Sequence, residues 1–174
     1  MKLLKFFIIF VIFAFVGTAI AMLFVKTSHK SQSSFSVKMS ANQCLDMCLN
    51  PEYFTQWMDQ LEKTEAIGSD YNQPAFEANL YFLDGRIRSR AIYTVDSVIS
   101  EKKAITQTNL ANKIVMETIF NLEQHDSITT VNAETKLTPK GWYYKLMLNG
   151  ASQAIDEKRK AEMKRLEELL KSKK

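Results

Sequence analysis

The chain has 174 residues, 46% of them hydrophobic and 24% charged, with a formal net charge of +4 and a pI near 9.0. That length can bury a core of ordinary size and still carry an appendage. The basic excess is mild, and no arginine-rich helix or basic-aromatic motif accompanies it, which argues against nucleic acid as a partner.

The first segment, Phe6 to Val25, contains no charged residue. As a helix rising about 1.5 Å per residue it reaches about 30 Å, the thickness of a bilayer's hydrocarbon core. Lys2 and Lys5 flank one end, and Lys26 and Lys30 the other. A membrane-spanning helix fits this pattern. A cleaved signal peptide is the rival, with Ala19-Ile20-Ala21 as its cleavage site. The apolar run continues through Met22, Leu23, Phe24 and Val25, so cleavage would leave a greasy tail, and the anchor is the favoured reading. The expected organisation is a transmembrane helix over residues 1–26 with a short cytoplasmic end, a polar linker over 27–33, and a domain over 34–174. The protein is then single-pass, with its domain on the non-cytoplasmic side, and an anionic membrane surface accounts for the basic excess.

Beyond the linker, "SFSVKMS" alternates, with Phe35, Val37 and Met39 on one face, and predicts a half-buried strand. Cys44, Leu45, Cys48 and Leu49 fall at helical spacing, with Asn42 as the expected N-cap. Asn50-Pro51 ends that helix and can open a second, with Asn50 capping and Pro51 in the first position. From Leu61 to Pro139 the pattern has period two, with Asp84-Gly85 and Ala111-Asn112 as turns. Inward faces read as Phe76, Ala78, Leu80 and Phe82; Ala91, Tyr93 and Val95 with Ile87; Ile114, Met116, Phe120 and Leu122; and Val131, Ala133 and Leu137. Leu148, Ser152, Ile155, Met163, Leu166 and Leu170 then recur at three- and four-residue steps, which predicts a long amphipathic helix, with Gly150 inside it or at a break. Successive strands with short turns form an antiparallel meander, and the last helix has the apolar stripe to cover its concave face.

This order, with Asn50, Pro51, Tyr53, Phe54 and Trp57 after the first strand and helix, resembles the START-like superfamily, also called SRPBCC or polyketide cyclase-like. The resemblance covers the chain from about Ser34 onward. It implies an α+β helix-grip fold, a curved antiparallel sheet around a C-terminal helix, with an apolar cavity between them that takes lipids or other hydrophobic molecules. On that footing the cavity is expected to be lined by Trp57, Phe76, Leu80, Phe82, Tyr93, Met116, Phe120, Trp142, Leu146, Ile155 and Arg159.

Several of these residues carry two readings. Trp57 lines the cavity mouth or anchors the short helices to the sheet. Arg159 lies on the apolar stripe, four residues after Ile155 and four before Met163, with Glu162 beside it. It binds a carboxylate or head group inside the cavity, or it snorkels to water past the sheet's rim. Arg86, Arg88 and Arg90 share a strand face, as a patch for anionic lipid or as solvent-facing partners of Glu117 or Glu134.

Cys44 and Cys48 read as core rather than as metal ligands or a disulfide, because an i,i+4 bridge within a helix is geometrically poor and the two histidines offer no paired spacing. No nucleophile elbow, phosphate loop or zinc-protease motif is present in the sequence. No metal, cofactor or catalytic residue is therefore assigned, and a cyclase-like or hydrolase-like enzyme would have only Arg159 and Glu162 to work with. The leading expectation is a membrane-anchored domain binding a hydrophobic small molecule, a lipid foremost. The alternative is a protein-interaction module near the membrane whose cavity is filled.

Overall fold

Tight turns set the course of the chain. The computed structural model describes residues 27–68 and 70–173, with Val11, Phe13 and Gly17 ahead of them. Strands β1 (His29–Val37), β2 (Leu61–Ile67), β3 (Glu77–Asp84), β4 (Ile87–Ile99), β5 (Lys103–Leu110), β6 (Ile114–His125) and β7 (Ile128–Pro139) form one antiparallel sheet, ordered β1-β7-β6-β5-β4-β3-β2. Gly85 turns β3 into β4 at φ +60°, and Ala111 and Asn112 turn β5 into β6 at φ 51° and 58°. Two consecutive residues in the left-handed region match the right-handed twist of the flanking strands. Register shifts at Leu61/Lys63 in β2 and Val95/Ser97 in β4 bend the sheet further.

Helices α1 (Ala41–Leu49) and α2 (Pro51–Trp57) follow β1. Ser40, not Asn42, caps α1: its Oγ accepts from the Gln43 N–H at 3.4 Å and donates to the Gln43 side chain. The signal was Ser40-x-x-Gln43, a capping box. Asn50 caps α2 by accepting from the Glu52 N–H at 3.0 Å, and Pro51 takes the first helical position. The terminal helical stretch is divided into α3 (Trp142–Gly150) and α4 (Ser152–Ser172), with Ala151 between them. Met163, Leu166 and Leu170 of α4 join α1, α2 and the inner faces of β3 to β7 in one core.

Two expectations change here. β1 begins at His29, so the strand takes in most of the stretch read as linker. Its polar residues hold an edge position through a ladder to β7: Lys30 and Gln32 donate to Glu134, Ser34 to Asn132, and Ser36 bonds Thr130. The span Phe6 to Val25, apart from Val11, Phe13 and Gly17, lies outside the described residues. Among the described residues no helix is long and apolar enough to cross a membrane. The longest, α4, is amply long at 21 residues but carries charge along its length, "DEKRKAEMKRLEELLK". The placement as a single-pass protein with a non-cytoplasmic domain is corrected accordingly.

Cys44 and Cys48 are free thiols buried in the core. Burial pushes the Cys44 thiol up to about 11 and the Cys48 thiol higher still. The thiolate is the reactive form, so the folded protein at about pH 8 should leave an aromatic disulfide reagent unreacted, with both thiols appearing on unfolding in guanidinium. Rapid labelling of the native protein would show that α1 opens readily.

Candidate functional site

The concave face of the sheet carries two apolar clusters. The larger holds Leu80, Val95, Phe120, Val131 and Leu166, together with Trp57, Phe76 and Tyr93. The smaller holds Met116, Leu137 and Leu148, with Ile114 and Ile155 packed against it. A polar belt runs between them, and strand register builds it. Thr106 of β5 lies opposite Thr118 of β6, Thr118 opposite Thr135 of β7, and Thr135 opposite Ser31 of β1. All four are buried. On β6, Thr118 separates Met116 of the small cluster from Phe120 of the large one. On β7, Thr135 separates Leu137 from Ala133 in the same way.

Helix α4 completes the belt. Arg159 sits one turn from Ile155 of the small cluster and one turn from Met163 of the large one. Its Nη2 donates to Thr135 Oγ1 at 3.1 Å and its Nη1 to Glu162 Oε2 at 2.5 Å. The second oxygen of Glu162 accepts from the Asp59 N–H at 3.0 Å, which ties α4 to the turn after α2. Arg165 and Lys158 reinforce that tie through the Asp59 carboxylate, at 3.2 and 3.4 Å. Thr118 and Thr135 share a hydroxyl contact at 3.3 Å, and Thr106 Oγ1 donates to the Thr118 carbonyl at 3.4 Å. Three donors in this part of the molecule, Arg159 Nε, Arg165 Nε and Trp57 Nε1, are buried with no partner among the described residues.

The residues expected to line a cavity are thus distributed over several environments. Trp57, Phe76, Leu80, Tyr93 and Phe120 lie in the large cluster, and Phe82 packs at its edge. Trp57 meets Phe54 edge-on with ring centroids 5.6 Å apart. Met116 and Ile155 belong to the small cluster. Trp142 and Leu146 stand exposed on α3, beside exposed Tyr143 and Met147. Arg159, only 8% exposed, does not snorkel to water. A cleft of about 780 Å3 lies elsewhere, around α1, lined by Met39, Leu45, Met47, Tyr53, Pro74 and Val98 with polar neighbours, and none of the expected residues borders it.

The arginine row on β4 faces outward but pairs differently from the sequence expectation. Arg88 reaches Glu62 at 3.5 Å and Arg90 reaches Asn79 Oδ1 at 2.7 Å, while Arg86 falls in the turn before β4. Glu117 and Glu134 sit on β6 and β7, and β4 borders only β3 and β5. The hydroxyl belt was missed in the sequence. Its signal was present as the inward positions passed over between Met116 and Phe120 and between Ala133 and Leu137, each a threonine.

No protein-family model and no curated protein matches the chain. Solved structures do match. Ara h 8.0201 superposes with a TM-score of 0.64 at 10% identity, over 83% of this chain and 99% of its own. TTHA0849 from Thermus thermophilus gives 0.63 at 11% identity, over 81% and 96%. A Thalictrum norcoclaurine synthase, solved as a point mutant with a transition-state analogue, gives 0.60 at 14% identity, over 82% and 94%. Ara h 8 and norcoclaurine synthase are helix-grip folds of the SRPBCC type. The fold is a helix grip. At these identities the likeness is one of architecture, and the helix grip here is closed by α4 through the Arg159–Glu162–Asp59 chain of contacts.

Proposed function

We propose that the domain binds a hydrophobic small molecule, a lipid foremost, on the concave side of the sheet beneath α3. The observation that supports this is the division of the apolar lining. The large cluster is closed by α1, α2 and α4, whereas the small one, Met116, Leu137 and Leu148, is covered by a helix with a single buried residue. Helix α3 is a light cover, and its displacement would open an apolar chamber floored by the hydroxyl belt. At about 25 cal/mol per Å2, a ligand hiding about 400 Å2 of apolar surface gains about 10 kcal/mol, and an association cost of about 4 kcal/mol leaves about 6 kcal/mol, binding in the tens of micromolar. Native mass spectrometry of the gently purified chain should show a co-purifying apolar adduct, and delipidated protein should take up an anilinonaphthalene dye with enhanced emission. Absence of both adduct and dye uptake would defeat the reading.

A second reading has its own support. Leu80, Val95, Ala104, Val131 and Leu166 are 0% exposed, so no water-sized space touches them from any side, inside the grip included. A domain with its interior filled would act through its surface, as a protein-interaction module, with the arginine row of β4 as the contact. Crosslinking should then recover one specific partner that is lost when Arg86, Arg88 and Arg90 are replaced by glutamine. A crosslink pattern unchanged by those substitutions would remove the row from consideration.

A further inference from the structure

We infer that Arg159 and the hydroxyl belt select, among apolar molecules, those that carry an uncharged hydrogen-bond-accepting oxygen, a carbonyl above all, and reject their carboxylates. This rests on the reading that the concave side takes an apolar ligand.

A guanidinium offers five N–H donors and no acceptor. Arg159 spends one nitrogen on Glu162 and one on Thr135, and its Nε–H has no partner among the described residues. An unpaired buried donor is costly, so an acceptor brought to it recovers the lost desolvation energy as well as a hydrogen bond. The position suits a ligand's polar end. Arg159 stands on the boundary between the closed cluster and the small cluster under α3, where a molecule admitted against Met116, Leu137 and Ile155 by displacement of α3 would terminate.

Charge then decides which acceptor. Arg159 is already neutralised by Glu162, itself 3% exposed and held by the Asp59 N–H. A carboxylate arriving there would face a second buried carboxylate across a single guanidinium, where little water screens the repulsion. A ketone, ester or aldehyde oxygen brings the acceptor without the charge. The belt supplies one further donor at the same level, since the contact between Thr118 and Thr135 uses one of their two O–H groups and leaves the other to rotate toward a ligand.

The test uses three molecules of nearly one shape: 2-acetylnaphthalene, 2-ethylnaphthalene and 2-naphthoate. Equilibrium dialysis against the full chain should find the ketone bound about tenfold more tightly than the hydrocarbon, and the carboxylate weaker than the ketone. The paired substitution Arg159→Met with Glu162→Met removes both charges together, and should shrink the ketone's advantage over the hydrocarbon several-fold, to what the belt hydroxyls alone supply. If ketone and hydrocarbon bind equally to the unaltered chain, or the carboxylate binds most tightly, the selection is refuted while apolar binding stands. If none of the three is retained, the ligand reading falls and the selection with it. The comparison on the unaltered chain decides the matter even if the paired variant does not fold.

Discussion

Replacing Glu162 by alanine is expected to destabilise the fold by about 3–5 kcal/mol, the cost of leaving a buried charge without its partner. Arg159 would keep Thr135 but lose the only anion within ion-pair distance of it among the described residues, and the Asp59 N–H would lose its acceptor. Water reaches the site poorly, since both side chains are almost fully buried. Removing both charges is a different experiment. The pair gives up much of its attraction to the cost of leaving water, so exchanging Arg159 and Glu162 together for methionine should cost far less than the single change, and can stabilise. Denaturant unfolding of the wild type, Glu162→Ala and the paired variant measures the contrast. A Glu162→Ala loss below about 1 kcal/mol, the range of an exposed pair, would mean that the helix end opens to solvent.

The contrast between local and distant information explains which parts of this architecture could be read in advance. Asn50-Pro51, Asp84-Gly85 and Ala111-Asn112 act within a few residues, through fixed φ, capping and the left-handed turn, and each marks an element boundary in the structure. Alternation placed Phe35 and Val37, and Leu80 and Phe82, on inward faces for the same reason. The residues His29 to Ser33 show no such alternation, because their strand character comes from β7: Gln32 bonds Glu134, 102 positions away. The hydroxyl belt is a product of register. Nothing near Thr118 announces that Thr106 and Thr135 will flank it, since each lies on a different strand. Arg159 combines both cases. Periodicity put it on the apolar stripe, but whether that part of the helix overhangs the sheet or lies upon it depends on where α4 meets Thr135 and Asp59. The small cluster beneath α3 was partly legible as Met116, Leu137, Leu148 and Ile155, while a continuous helical period conceals both the break at Ala151 and the exposure of Trp142 and Leu146 before it.

Phe54→Ala should be the most damaging apolar truncation, at about 3–5 kcal/mol. The side chain is 1% exposed, and its ring meets Trp57 at 5.6 Å and Tyr93 at 5.0 Å, both edge to face. The loss therefore combines transfer, cavity and aromatic pairing, the last contributing about 0.5–1.5 kcal/mol for each ring pair. The position also matters for the rest of the grip. Phe54 lies on the short helix α2, whose end leads into Asp59, and Asp59 holds Glu162, Lys158 and Arg165 of α4. Loosening α2 should therefore loosen α4, and the two residues should couple. A double-mutant cycle joining Phe54→Ala to Glu162→Gln should give an interaction energy of about 0.5 kcal/mol or more. Strict additivity would show that α2 packs on the sheet independently of its tie to α4. Hydrogen exchange offers the local readout: amides of α4 near Glu162 should lose protection in Phe54→Ala beyond that of β5 and β6, the strands at the centre of the sheet.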